Sequence, residues 1–172
     1  MGVDTSFRAE TAASPDELFV VVSDLDTYPS WIELVHRVEP IGDHGGGPDT
    51  PETEPTWFVT LRAQLGPLAR SKRLRMARTA LEAPADNGGH GLVRFDRREI
   101  DGRDHSPWTM EVTVEPASGQ GASVAVCRLH YGGGLWSGLL EGSLDMMARR
   151  SVTRLQELVG PPAAGSAQPT GR

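Results

Sequence analysis

The two ends of the chain constrain its fold most. At the start, Val3, Thr5, Phe7, Ala9 and Thr11 alternate with Asp4, Ser6, Arg8 and Glu10. That period of two marks a strand with one buried face. Ser14-Pro15-Asp16-Glu17 follows. Ser14 is a good N-cap, Pro15 suits the first helical position, and Glu17 completes a capping box. Leu18, Val21, Val22 and Leu25 then share one helix face, and Pro29 is expected to break the helix at Tyr28. At the other end, Leu129-His130-Tyr131-Gly132-Gly133-Gly134 runs into the amphipathic stretch Leu135–Val159. Its apolar stripe is Leu140, Leu144, Met147, Ser151, Leu155 and Leu158. A sheet with short helices after its first strand and a long helix at its end tends to enclose a cavity, so ligand binding is the leading question.

Between the ends, alternation predicts strands over Leu34–Ile41, Thr56–Leu65, Ala69–Leu81, Gly91–Ile100, Trp108–Glu115 and Ala122–Tyr131. The turns at 84–90, 101–107 and 116–121 are short, which implies an antiparallel meander. The acidic segment Gly42–Pro55 is longer than a usual hairpin connection and is either mobile or functional, for example framing a cavity mouth. Residues 160–172 form a Pro/Ala/Gly tail expected to be disordered. With 172 residues, one domain over 1–159 is the default.

A net charge of −6 argues against general nucleic-acid binding. Lys72 is the only lysine among seventeen basic residues, and Ala, Gly and Pro are abundant. That composition suits a high-GC bacterial gene and says nothing of mechanism. The single cysteine, Cys127, excludes an intramolecular disulfide and a multi-Cys metal site and fits a reducing cytoplasm. The longest purely apolar run is too short to span a bilayer, and stable membrane insertion is not expected. Met1–Ser6 matches the myristoylation pattern, but no basic cluster supplies a second membrane signal.

Chemical motifs are sparse. The histidines lack metal-ligand spacing, and Cys127 and His130 point to opposite faces of a strand, so no metal site is expected. No nucleophile elbow or phosphate loop is present, and no cofactor is expected. The basic run Arg70, Lys72, Arg73, Arg75, Arg78 splits between two sheet faces and reads as a solvated surface. Hairpin register places Met76 near Arg97, Arg97 near Met110, and Met110 near Cys127. Leu74, Met76, Phe95, Trp108, Met110, Leu129 and Tyr131 then share a face that meets the long helix. Arg78, Arg97 and Glu99 are odd polar members of it: either rim charges paired in solvent, or the polar end of an apolar pocket.

The order of these elements resembles the START-like superfamily, also called SRPBCC or Bet v 1-like. It is most similar to the bacterial polyketide cyclase/dehydrase and lipid transport group. Ser14-Pro15-Asp16-Glu17-Leu18-Phe19 and Asp24-Leu25-Asp26-Thr27-Tyr28-Pro29-Ser30-Trp31 carry the likeness, with Leu129-His130-Tyr131-Gly132-Gly133 and the final helix. The resemblance implies an α+β helix-grip fold, a seven-stranded antiparallel sheet curved around a long C-terminal helix, with two short helices after the first strand. It also implies binding or carriage of a hydrophobic small molecule such as a lipid, quinone or polyketide-like compound. The alternative is a polyketide cyclase, aromatase or dehydratase acting in the same cavity, and fold cannot choose between them. The expected ligand contacts are Leu74, Met76, Phe95, Arg97, Trp108, Met110, Leu129 and Tyr131 from the sheet, and Trp136, Leu140, Leu144 and Met147 from the helix. Glu99, Arg97 and Tyr131 are the candidates for acid–base work.

Overall fold

A computed structural model describes residues 2–42, 54–65, 68–118, 121–133 and 144–160. Trp136, Leu140, most of the 42–55 segment, residues 134–143 and residues 161–172 lie outside the described residues. The strands are β1 (Val3–Thr11), β2 (Val35–Pro40), β3 (Thr56–Leu65), β4 (Leu68–Glu82), β5 (Gly91–Arg97), β6 (Trp108–Pro116) and β7 (Ser123–Tyr131). The helices are α1 (Pro15–Val22), α2 (Tyr28–Trp31) and α3 (Leu144–Val159).

The capping box holds. Glu17 N donates to Ser14 Oγ and Ser14 N donates to a Glu17 carboxylate oxygen. The Ser14 N–H, and next the Ser14 hydroxyl, both donating to Glu17 Oε2, keep the Glu17 carboxyl below its usual range. Pro29 acts differently from expectation. The first helix already ends at Val22, Leu25 opens a single 3-10 turn, and Pro29 sits in the first turn of α2. Proline is tolerated there because no intrahelical acceptor awaits its missing N–H. Asp24 drives the break, since its side chain accepts from Asp26 N and nucleates the turn.

The seven strands form one antiparallel sheet in the order β1-β7-β6-β5-β4-β3-β2, a meander closed by β1 against β7. Met76 pairs with Arg97 as expected. Met110 pairs with Phe95 and Leu129, each two residues from the expected partner. A two-residue slip keeps every side chain on its face, so the assignment of sides survives. The sheet curves: Lys72 Nζ on β4 lies 5.3 Å from the centroid of the Tyr131 ring on β7. Flat strands three apart would stand about 14 Å from each other.

Helix α3 lies against β1 and α2. Its buried stripe is Ser151 and Leu155, with Met147, Val152 and Val159 partly buried. Leu158 is half exposed: the stripe advances by four from Leu155 to Val159 and leaves Leu158 at its edge. The end of the helix is fastened to β1, where Gln156 Nε2 donates to the Glu10 carbonyl and Ala12 N to the Gly160 carbonyl. Gly160 has φ of 106°, the left-handed backbone that ends many helices. Nearer its start, Arg150 pairs with Glu33 at 2.7 Å, and Glu33 N donates to Ser151 Oγ.

Candidate functional site

The sheet face under the helices has two unlike halves. In one, Tyr28 and Trp31 from α2 descend onto the strands. Phe95 meets the Tyr28 and Trp57 rings edge-on, at centroid distances of 5.6 and 5.8 Å. Tyr28, Trp31 and Phe95 are fully buried. The polar atoms of this half are satisfied: Tyr28 Oη donates to the Val22 carbonyl and Trp31 Nε1 to Thr27 Oγ1. Burial raises the Tyr28 hydroxyl pKa well above its ordinary value, so it stays a donor. This half is packed core.

In the other half, α3 stands off the sheet over a cavity of about 40 Å³. Thr5, Phe7, Met110, Cys127 and Leu129 floor it, while Ile32, Leu34, Met147, Ala148 and Ser151 roof it. The lining is almost wholly apolar. Cys127 here is inert, its thiol pushed up to about 12 by burial.

Beyond the cavity the face turns polar. Arg97 is nearly buried, and each of its side-chain nitrogens has a partner. Its Nε donates to Glu99 Oε1 at 2.8 Å, its Nη1 to the Ser106 carbonyl at 3.2 Å, and its Nη2 lies 3.1 Å from His105 Nδ1. Glu99 Oε1 also accepts from Arg75 N. Lys72 shares this side, with its ammonium over the Tyr131 ring. Burial lowers the Lys72 pKa first, the Arg97 charge lowers it further, and Glu99 partly offsets both. Trp108 and Tyr131 meet beside it with ring centroids 5.1 Å apart and planes tilted by 52°, and Trp108 Nε1 is buried without a hydrogen-bond partner.

The residues singled out by sequence are therefore distributed. Met110, Leu129 and Met147 line the cavity. Phe95 belongs to the packed half, and Leu74 and Met76 are buried in the core. Arg97, Glu99, Trp108 and Tyr131 form the polar end. Leu144 begins α3, and its side chain, like Trp136 and Leu140, is outside the described residues. Arg78 parts from Arg97 and Glu99: it donates to the Ser23 carbonyl at the end of α1. A one-residue bulge after Arg78 accompanies this. Lys72 was missed as an inward residue, yet it has the parity of Leu74 and Met76, and its charge disguised the pattern. Ile32 and Leu34 roof the cavity from a non-helical linker that no periodicity marks.

Gly132 and Gly133 do not adopt positive φ. A β-carbon at 132 would strike Pro107, and one at 133 would strike the Tyr131 hydroxyl and Ser106 Oγ. Close approach, rather than hinge geometry, calls for glycine at these two positions. Gly134 lies outside the described residues.

The opposite sheet face carries an open depression of about 410 Å³ among Asp4, Ser6, Arg94, Thr109, Glu111, Arg128 and His130. Its polar groups are mutually engaged: Arg128 pairs with Glu111, and His130 Nδ1 lies 2.7 Å from an Asp4 carboxylate oxygen. Asp96 alongside accepts from Arg94, Thr79 and Thr109. Among the described residues no cluster of His, Cys, Asp or Glu is placed to hold a metal, and no helix is long and apolar enough to cross a membrane.

A seven-stranded antiparallel sheet closing on a C-terminal helix, with short helices after the first strand, defines the helix-grip class, the START-like or Bet v 1-like proteins. The chain belongs to the polyketide cyclase/dehydrase and lipid transport family, whose model matches residues 3–159. Solved structures agree in fold. A crystal structure from Deinococcus radiodurans is 19% identical with a TM-score of 0.59, covering 90% of this chain and 95% of that one. A START superfamily protein from Mycobacterium smegmatis is 19% identical with a TM-score of 0.58, covering 90% and 98%. Truncated norcoclaurine synthase from Thalictrum flavum is 17% identical with a TM-score of 0.55, covering 92% and 94%. At such identities the likeness speaks for the fold alone. No protein with a curated description matches the chain in sequence.

Proposed function

We propose that this protein binds and carries a hydrophobic small molecule between the sheet and α3, with the ligand's polar group toward Lys72, Arg97 and Tyr131. The observation that carries the reading is the apolar cavity roofed by Met147 and Ala148 and floored by Phe7, Met110 and Leu129. At about 40 Å³ it is a seed of a site, since ligand pockets usually span about 300–1,000 Å³. Occupancy then requires α3 to yield. Two methionines at the cavity suit that, because their unbranched side chains re-pack easily. The family description, which includes lipid transport, supports the same reading. A cytoplasmic setting accords with a chain that has a single, buried cysteine and so no disulfide of its own.

A fluorescent fatty acid, 11-(dansylamino)undecanoic acid, tests it. The protein is expected to bind the probe with a blue-shifted, enhanced emission. Ala148→Phe, which fills the cavity, should weaken binding at least about tenfold while the thermal midpoint holds. Equal affinity in both proteins would place the probe elsewhere and overturn the reading.

Catalysis by a cyclase or dehydratase is the second reading. It is favoured by one arrangement, Lys72 over the Tyr131 ring on the same side as the Arg97–Glu99 pair, where burial also lowers its pKa. Each Arg97 nitrogen already meets a structural partner, which holds the guanidinium in place with N–H groups to spare for a ligand oxygen and favours carriage. Turnover of a poly-β-keto substrate that falls steeply in both Glu99→Gln and Arg97→Met, with the fold intact, would support the enzyme. Unchanged turnover in both would remove those residues from the chemistry.

A further inference from the structure

We infer that Trp108 is a hydrogen-bond donor held for the ligand, and that the ligand of the proposed cavity therefore carries an acceptor oxygen of the carbonyl class. This rests on the cavity reading and narrows it. Trp108 is 2% exposed, and its Nε1 is the one buried side-chain donor left without a partner among the described residues. A buried indole N–H normally finds an acceptor, because desolvating it without one is costly. The same molecule supplies the contrast, since the equally buried Trp31 donates to Thr27 Oγ1 at 3.2 Å.

Trp108 stands just beyond the cavity lining, two residues along β6 from Met110 and on the same buried face, so a ligand that extends past Met110 reaches it. It pairs with Tyr131 across β6 and β7, and the next step of the β5–β6 register brings it to Arg97. That neighbourhood is rich in donors: the Arg97 guanidinium and the Lys72 ammonium lie on the same side. None of its acceptors takes the Trp108 N–H. Glu99 Oε1 takes Arg97 Nε and Arg75 N, and the Ser106 carbonyl takes Arg97 Nη1. A ligand oxygen that accepts completes the set, which a ligand that only donates cannot do for Trp108. The excess positive charge of Lys72 and Arg97 over Glu99 further favours an oxygen bearing partial negative charge.

A matched pair of probes separates this inference from the reading beneath it. 1-Indanone and indane share a carbon frame and differ in one carbonyl. In the full-length 15N-labelled protein, the ketone should bind about tenfold more tightly than the hydrocarbon. It should also move the Trp108 indole N–H resonance, recognised by its NOE to the Tyr131 ring, downfield, while indane leaves it near its free position. Trp108→Phe keeps an aromatic ring and should equalise the two affinities. Equal binding of both probes by the unmodified protein overturns the inference and leaves the cavity reading standing. So does a ketone preference that persists in Trp108→Phe. Should that variant not fold, the resonance shift in the unmodified protein decides alone. Binding of neither probe overturns the cavity reading, and the inference falls with it.

Discussion

The two halves of the inner sheet face are built from the same strands and end differently. Under α2, Tyr28, Trp31, Trp57 and Phe95 interlock, and the Tyr28 hydroxyl and Trp31 indole N–H each have a partner. Under and beyond α3, the same face leaves a cavity, an unanswered indole N–H and two cations brought inward. Stability alone does not produce the second arrangement, because a filled apolar core is easier to fold than a half-satisfied polar one. The difference teaches where the fold is spending stability on something else.

Substitutions should separate the halves by size of effect. Phe95→Ala should be worst, lowering unfolding free energy by about 3–5 kcal/mol in a urea titration, since it empties a closed aromatic cluster. A loss under about 1 kcal/mol would mean that this half is as loosely packed as the other. Arg97→Met should cost less, about 2–3 kcal/mol, because Glu99 is partly exposed and regains water when its partner leaves. Its signature is separable: the same variant should reduce ketone-probe binding, whereas a purely structural Arg97 would change stability alone.

On the outer face, Asp96→Asn should cost about 1–2 kcal/mol through its hydrogen bonds to Arg94, Thr79 and Thr109. Burial by itself would raise the Asp96 pKa, but the hydrogen bonds from Arg94, Thr109 and Thr79 together hold it below the ordinary 3.8. A lowered folded-state pKa contributes stability above that ordinary value and loses it as pH falls through the lowered one. Asp96→Asn should therefore flatten the acid limb of a stability–pH curve below about pH 4. Ser14→Ala should be mildest, about 1 kcal/mol, through loss of the cap on α1. It should leave probe binding unchanged, because α1 does not line the cavity.

The side each strand residue faces is legible in the sequence. Alternation sets the strand faces, and parity survives the two-residue errors in register, so Phe95, Trp108 and Met110 could be assigned to a side without knowing the turns. What alternation does not report is depth. Phe95 and Met110 are neighbours on one face, yet one is locked among aromatics and the other opens on a cavity. Only the placement of α2 and α3 decides that. Lys72 shows a second limit. Composition marks it as polar and the eye places it outside, while its position two residues before Leu74 puts it inside. The orphan at Trp108 has no sequence signal at all, since it depends on what its neighbours have already bonded.

Methionine methyl groups test the central contrast directly. The described chain carries Met110 and Met147 on the cavity, Met146 half exposed on the outside of α3, and Met76 buried in the core. In protein labelled with 13C at the methionine methyls, 1-indanone should shift the Met110 and Met147 signals together and saturably, and leave Met146 in place. Movement of Met146 without Met110 and Met147 would put the ligand outside the sheet–helix space and contradict the account.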